Sequence, residues 1–155
     1  MSYYAKIKKF NIANGEGVRT AIFFSGCDFH CKECFNPELW NPTFGQPYTS
    51  NTQEEIFNSI NEHIAGLSIL GGEPLSQYNI KTVIELCKNF KQRFPDKTIW
   101  LWSGYCLENL AAEQRPILQY IDVLVDGQFM QTMKKPNLKF RGSTNQRILY
   151  KGVNF

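Results

Sequence analysis

The strongest constraint on the fold is an alternation of short, apolar, β-rich runs with helix-like patterns. Four runs, each followed by a polar or glycine-rich loop, lie at 21–24, 67–70, 98–102 and 121–125. Such alternation predicts parallel βαβ units whose loops meet at one edge. Since four or five strands are too few to close an eight-stranded barrel, we expect an α/β fold, an incomplete parallel (β/α) barrel, in a single domain over residues 1–155.

Three helices are predicted between these runs. The first begins near Thr52, where Thr52-Gln-Glu-Glu55 matches a capping box, and ends before Gly66. Ile56, Ile60 and Ile64 would share its buried face. The second spans about Asn79 to Phe94, and a less regular third spans 107–119. The predicted helices connect successive strands, as parallel pairing requires.

Composition and charge exclude several classes of function. Hydrophobic residues make up 43% of the 155 residues, which is typical of a globular protein. The net charge is only +3, with scattered basic residues, so no nucleic-acid partner is expected. No apolar run approaches the roughly 20 residues of a membrane span. Because the N-terminus also lacks a signal-peptide core, we expect a cytoplasmic protein with reduced thiols and no membrane partner.

Three cysteines lie within eight residues, directly after the first apolar run. The segment reads Cys27-Asp-Phe-His-Cys31-Lys-Glu-Cys34. Three thiolates are one ligand short of a closed tetrahedral site, so a metal centre held this way keeps one position open. A zinc site completed by His30 would draw four ligands from eight consecutive residues, whereas natural zinc sites usually use two separated turns. An electron carrier would need a fourth nearby cysteine. The pattern therefore favours a [4Fe–4S] cluster with one open iron.

A second motif, Gly71-Gly72-Glu73-Pro74, follows the second apolar run. Glycines permit close backbone approach to a ligand, and the Glu73 carboxylate can accept hydrogen bonds from an ammonium group. Alone, the tetrapeptide is typical of an ordinary strand-to-helix turn. It becomes specific only in combination with the upstream cysteines.

Together the two motifs resemble the radical S-adenosylmethionine (SAM) enzymes. The resemblance implies that Cys27, Cys31 and Cys34 bind a [4Fe–4S] cluster whose open iron is chelated by the methionyl group of SAM. It also implies that an electron from the cluster cleaves SAM to a 5′-deoxyadenosyl radical. Further residues are implied to bind SAM. Gly71, Gly72 and Glu73 would meet its methionyl amine, and the remainder of the implied SAM-binding set is Glu33, Phe35 and Asn36. Many members carry an aromatic residue where this chain has Glu33, so the adenine contact would come from backbone or from Phe35.

Further segments resemble one family within this group, the activating proteins of anaerobic (class III) ribonucleotide reductases. They are 14–20 (NGEGVRT), 34–40 (CFNPELW), 99–105 (IWLWSGY), 121–127 (IDVLVDG) and 141–147 (RGSTNQR). The resemblance implies hydrogen abstraction from a glycine of the large reductase subunit, which forms a glycyl radical. It also implies an external electron donor such as a flavodoxin.

Three other functions remain open alternatives. The chain could activate another glycyl radical enzyme, such as pyruvate formate-lyase, or act on a small molecule as a radical SAM enzyme. In a different class, it could be a zinc-binding interaction module.

The sequence leaves several other residues with two interpretations. Arg19 could support the cluster loop or meet a partner protein, or lie at the surface. Asp126 could touch SAM or a cation, or simply end a strand. The segment 141–147 could clamp SAM or dock the glycine loop, or be solvated. His63, Cys87 and Cys106 are predicted to be structural.

Overall fold

One seven-stranded mixed sheet organises the chain in a computed structural model that describes residues 1–155. The strand order is β3-β1-β2-β4-β5-β6-β7. None of the helices is long and apolar enough to cross a membrane. The strands and helices are β1 (Tyr3–Asn11), β2 (Arg19–Phe24), β3 (Gln46–Pro47), α1 (Ser50–Asn58), β4 (Gly66–Gly71), α2 (Ile80–Arg93), β5 (Thr98–Ser103), β6 (Val123–Asp126) and β7 (Arg147–Tyr150).

The centre of the sheet consists of the four strands that the apolar runs predict. Strands β2, β4, β5 and β6 pair in parallel, so their C-terminal ends meet at one edge. The alternation of strands with connecting segments is therefore a correct guide to an α/β fold with a parallel centre.

Three antiparallel strands at the edges of the sheet are absent from the sequence prediction. Strand β1 pairs with β2 and β3, and β7 pairs with β6. Lysines interrupt the apolar pattern of β1, and β3 contains only two residues. These strands form because neighbouring strands offer unpaired backbone groups, which is information that local sequence does not contain.

The two α-helices cover only one face of the sheet. Ile22 and Phe24 of β2 join a 20-residue core with residues of α1 and α2, including Phe57 and Phe90. The intervening Phe23 points to the opposite face, since side chains of a strand alternate. That opposite face carries the cavity described below.

The structure corrects the first predicted helix. Thr49 is its N-cap, and the Thr52 hydroxyl accepts the Thr49 N–H at 3.0 Å, so Thr52 is the third helical residue of the capping box rather than its start. The helix ends at Asn58, where the Ser59 hydroxyl donates to the Ile56 carbonyl at 2.5 Å. Ile60 and Ile64 consequently lie in the following connection, although Ile64 is still buried.

The third predicted helix is also wrong, whereas the second is confirmed as α2. The segment 107–119 forms two short 3₁₀ turns, Leu107–Asn109 and Arg115–Gln119. Pro116 lacks the N–H that a continuous helix would use, and the Gln114 side chain accepts the Ala111 N–H at 2.8 Å. Local capping thus replaces the helix.

Arg19 is buried rather than available to a partner, with only 1% of its surface exposed. Its five N–H groups are matched by five hydrogen bonds, which reach the Ser68 hydroxyl and the Glu16 and Leu67 carbonyls and both the hydroxyl and the carbonyl of Thr98. Burial lowers its pKa to about 10, so the guanidinium stays protonated at neutral pH. Ser68 in turn donates to the Asn14 carbonyl at 2.6 Å, which fixes the loop before β2 against the sheet.

Candidate functional site

A cavity of about 430 Å³ lies on the face of the sheet that the helices leave uncovered. Its volume falls within the range of small-molecule sites, roughly 300–1,000 Å³. The ends of β4 and β5, the cysteine loop and the segment 127–146 all contribute to its walls. The site therefore stands at the C-terminal edge of the parallel strands, where the loops were expected to meet.

Most of the residues that the sequence singles out line this one cavity. Eight of the nine predicted ligand-binding residues do so, namely Cys27, Cys31, Cys34, Phe35, Asn36, Gly71, Gly72 and Glu73. Glu33 does not line it; its side chain is exposed and its φ of 60° places it in a left-handed turn. The cysteine loop and the glycine motif are thus brought together across about 40 residues of sequence.

The three cysteines lie in one loop, with Cys27 buried and Cys31 and Cys34 partly exposed. No three His, Cys, Asp or Glu side chains converge closely enough to hold a single metal ion. A cluster differs in this respect, since each cysteine bonds a different iron and the thiols need not meet at one point. His30, the residue that a zinc site would need as its fourth ligand, stacks on Trp40 with ring centroids 4.4 Å apart.

The surroundings of the thiols also fit a bound cluster. The Asn36 N–H donates to the Cys34 sulfur at 3.4 Å, a contact that tunes cluster thiolates. Trp40 lines the cavity, and its buried indole N–H has no acceptor within the protein. Burial raises the pKa of Cys27 to about 11, so this thiol is protonated in the free protein and must lose its proton to bind metal.

Gly71 and Gly72 are required by the backbone around them. Gly71 has a φ of +128°, and an added Cβ would lie 2.2 Å from the Phe24 carbonyl oxygen. A Cβ on Gly72 would lie 2.6 Å from the Leu39 carbonyl oxygen and 2.7 Å from that of Gly26. Glycine therefore lets Gly71 pack directly against the end of β2 and lets Gly72 pack against the loop residues Gly26 and Leu39.

The Glu73 carboxylate is almost completely buried at the cavity wall. One oxygen accepts the Leu75 N–H at 2.9 Å and the Ser103 hydroxyl at 2.8 Å, and the other accepts the Gly104 N–H at 2.7 Å. Because a carboxylate offers about four acceptor positions, one remains for a ligand. Burial raises its pKa to about 7 despite these hydrogen bonds.

Asp126 is engaged in a structural ion pair and does not line the cavity. Its carboxylate accepts two hydrogen bonds from Arg147, at 2.9 and 2.6 Å, and the Leu107 N–H at 2.8 Å. Arg147 lies one strand away in β7 and also contacts Glu108 at 2.9 Å. Of the two interpretations of Asp126, the structure supports the structural one.

The segment 127–146 forms a wall of the cavity that the sequence prediction largely missed. Phe129, Phe140 and Arg141 line the cavity, and the Trp102 indole N–H donates to the Phe140 carbonyl at 2.6 Å. Gly142 lies so close to Phe35 that an added Cβ would be 2.8 Å from its ring. In this region the sequence analysis singled out only the segment 141–147, which contains Arg141. Residues 128–140 show no hydrophobic periodicity that would have pointed to a role in a binding site.

Partners of the predicted residues were missed in the same way. Ser103 and Gly104 donate hydrogen bonds to Glu73, and Asn14 lines the cavity. Their signals were position and resemblance: Ser103-Gly104 ends a strand within the segment 99–105, and Asn14 opens the segment 14–20, and both segments had been singled out. Cys87 is buried in the core, as predicted, and Cys106 does not line the cavity.

The raised pKa of Glu73 predicts how stability depends on pH. The folded protein keeps a proton on Glu73 up to about pH 7, whereas its ordinary pKa is 4.5. Folding therefore binds a proton in this window, and the free energy of unfolding should decrease as the pH rises through it, by roughly 3 kcal/mol in total. Urea unfolding of the metal-free protein at about pH 5 and about pH 8 measures this decrease. Glu73→Gln, which cannot titrate, should show a smaller decrease, and an equal decrease would contradict the assignment.

Comparison with known proteins gives one family match and several close relatives. Residues 13–149 match the family described as "4Fe-4S single cluster domain". The chain is similar to proteins named anaerobic ribonucleoside-triphosphate reductase-activating protein from three sources. It is 40% identical to that of Vibrio cholerae over 148 residues, which cover 94% of this chain and 96% of the relative. It is 39% identical to that of Pasteurella multocida over 157 residues, covering 98% and 99%. It is 38% identical to that of Enterobacteria phage T4 over 146 residues, covering 94% and 92%.

Proposed function

We propose that this chain, which belongs to the family of anaerobic ribonucleoside-triphosphate reductase-activating proteins and carries a 4Fe-4S single cluster domain, activates such a reductase by radical SAM chemistry. The observation that carries the proposal is one cavity, lined by three cysteines and by the Gly71-Gly72-Glu73 motif, on the open face of a parallel sheet. In this proposal β2, β4, β5 and β6 are the strands of an incomplete barrel of the radical SAM type. The protein is a cytoplasmic enzyme, since its free thiols must stay reduced.

Cys27, Cys31 and Cys34 would hold the [4Fe–4S] cluster and leave one iron for SAM. When bound, the cluster would supply one electron to SAM. SAM would then break into methionine and a 5′-deoxyadenosyl radical. This radical would take the α-hydrogen of a reductase glycine, which would yield 5′-deoxyadenosine and a glycyl radical. The electron comes from an external carrier, which we propose to be a flavodoxin-like protein.

The chain's own residues bind and orient SAM in this proposal. The free acceptor position of Glu73 receives the methionyl ammonium group, beside the closely packed Gly71 and Gly72. Phe35 and Asn36, which line the cavity, contribute to the adenine side, whereas Glu33 does not line it. Phe35 packs against Phe129, with ring centroids 4.9 Å apart, so two aromatic rings form part of the cavity wall on this side.

The ligand assignment predicts a sharp difference among the cysteines. Cys27→Ala, Cys31→Ala or Cys34→Ala should remove the brown colour of anaerobically reconstituted protein and abolish SAM cleavage, because each change removes one cluster ligand. Cys106→Ala is the matched control, a cysteine that does not line the cavity, and should keep both. Absorbance, bound iron and the yield of 5′-deoxyadenosine measure the difference. A colourless protein with bound zinc would support the zinc-module alternative instead.

The role of Glu73 is tested separately from that of the cluster. Glu73→Gln should retain the cluster absorbance but bind SAM at least about tenfold more weakly, because a neutral amide loses the charge-assisted hydrogen bond to the ammonium group. Equilibrium binding of SAM to reconstituted protein measures the effect, with Glu108→Gln, an exposed glutamate outside the cavity, as control. Unchanged SAM affinity would remove Glu73 from the site.

The identity of the partner is decided by electron paramagnetic resonance. Reduced, reconstituted protein mixed with SAM and the large subunit of an anaerobic ribonucleotide reductase should produce the doublet of a glycyl radical. The same mixture with pyruvate formate-lyase should not. A doublet with pyruvate formate-lyase alone would overturn the assignment of the partner, while 5′-deoxyadenosine formed without any doublet would favour a small-molecule substrate.

A further inference from the structure

The charge of this chain is strongly divided between its two parts. Residues 127–155 contain six Lys and Arg residues and no Asp or Glu, whereas residues 1–126 contain 11 basic and 14 acidic residues. The last 29 residues therefore carry a formal charge of +6, and the rest of the chain carries −3. An overall charge of +3 conceals this division.

Most of these positive charges are not neutralised within the protein. Arg147 forms ion pairs with Asp126 and Glu108, and the Lys151 ammonium donates to the Gln119 carbonyl. The other four cations form no ion pair, and the three lysines among them are exposed; they are Lys134, Lys135, Lys139 and Arg141.

These four cations all lie on the segment that walls the cavity. Backbone hydrogen bonds join its two arms, from Lys135 N–H to the Gly142 carbonyl at 3.4 Å and from Thr144 N–H to the Met133 carbonyl at 2.9 Å. Arg141 itself lines the cavity, and its guanidinium donates to the Gln146 carbonyl at 2.6 Å. The positive charge is thus held at the edge of the cavity rather than on a distant surface.

Exposed apolar side chains accompany the charges. Met130 and Met133, on the same segment, are 43% and 42% exposed. Phe35, which follows the last cysteine of the loop, is 60% exposed and lies beneath the Lys134 ammonium at 5.3 Å. Methionine and aromatic residues are enriched where proteins meet, while exposed lysines at the margin steer an oppositely charged partner.

We propose that Lys134, Lys135, Lys139 and Arg141, with Met130 and Met133, form a basic rim on which an acidic face of the reductase subunit docks. This inference rests on the proposed function, because a protein whose glycine enters the cavity must rest on the cavity's edge. A symmetric dimer that joins two rims is disfavoured, since two rims of like charge would repel. The rim contributes affinity and orientation for the protein substrate, whereas the cysteine loop and Glu73 serve the chemistry.

The experiment compares two charge-reversed variants of the reconstituted protein. Lys135→Glu combined with Lys139→Glu alters two exposed rim residues that do not line the cavity. The matched control, Lys81→Glu combined with Lys88→Glu, makes the same change of charge on exposed positions of α2, behind the sheet. Affinity for the purified large reductase subunit is measured at low and at high ionic strength.

The rim variant should bind the reductase about tenfold more weakly or worse at low ionic strength, and it should lose most of the salt dependence of the wild type. The control should bind within about twofold of wild type. SAM cleavage driven by a chemical reductant in the absence of reductase should be the same in all three proteins, which shows that fold and cluster are intact.

Each other outcome is informative. Equal affinity of the rim variant and the wild type would overturn the proposal. It would also be overturned if the variant bound the reductase normally but lost SAM cleavage driven by a protein electron carrier, because the rim would then receive the carrier. A wild type that binds the reductase with the expected salt dependence yet cleaves no SAM would refute the proposed function while leaving the rim as the docking surface.

Discussion

The geometry of the site depends on the hydrogen bonds that the buried Glu73 carboxylate accepts. It stands just beyond the end of β4 and accepts hydrogen bonds from Ser103 and Gly104 at the end of β5. The backbone N–H of Glu73 donates to the Gly26 carbonyl beside the cysteine loop. One residue thus joins the ends of three parallel strands. Burying a carboxylate is unfavourable unless hydrogen bonds compensate, and the three it accepts explain how the fold tolerates a group that is also available to a ligand.

The sheet is covered by helices on one face only, and this asymmetry creates the site. The 20-residue core between the sheet and the helices supplies most of the apolar burial. On the other face, Trp100 and Trp102 pack against the wall segment through Phe140. A loop wall in place of a helix leaves a cavity whose edge is accessible to a large partner. Arg19 supports the opposite end of this face by fixing the loop that contains Asn14.

Local sequence patterns predicted the strands and helices whose signature in the sequence does not depend on which segment they pack against. The apolar runs at 67–70 and 98–102 became β4 and β5 because a fully buried strand has the same signature wherever it lies. The amphipathic period likewise predicted α2. The start of α1 was displaced by three residues, because only Thr52-Gln-Glu-Glu55 matches the usual capping-box pattern, whereas in the structure the Thr52 hydroxyl caps the helix from the third helical position. Strand β7 could not be predicted, since its residues become a strand by pairing with β6.

By itself the sequence determined the order of the parallel strands along the chain, the three cysteines in one loop and the glycines beside Glu73. These are properties of residue type and spacing, which fix backbone freedom and metal-binding capacity locally. The tertiary structure alone decided that the cysteine loop and Glu73 share a cavity, that Asp126 is paired with Arg147, and that Arg19 is buried. It also decided that four of the six positive charges of the last 29 residues lie on the segment that walls the cavity. The reason is physical: hydrogen bonds and ion pairs are formed between groups that are close in space, and chain folding brings together groups that the sequence holds far apart.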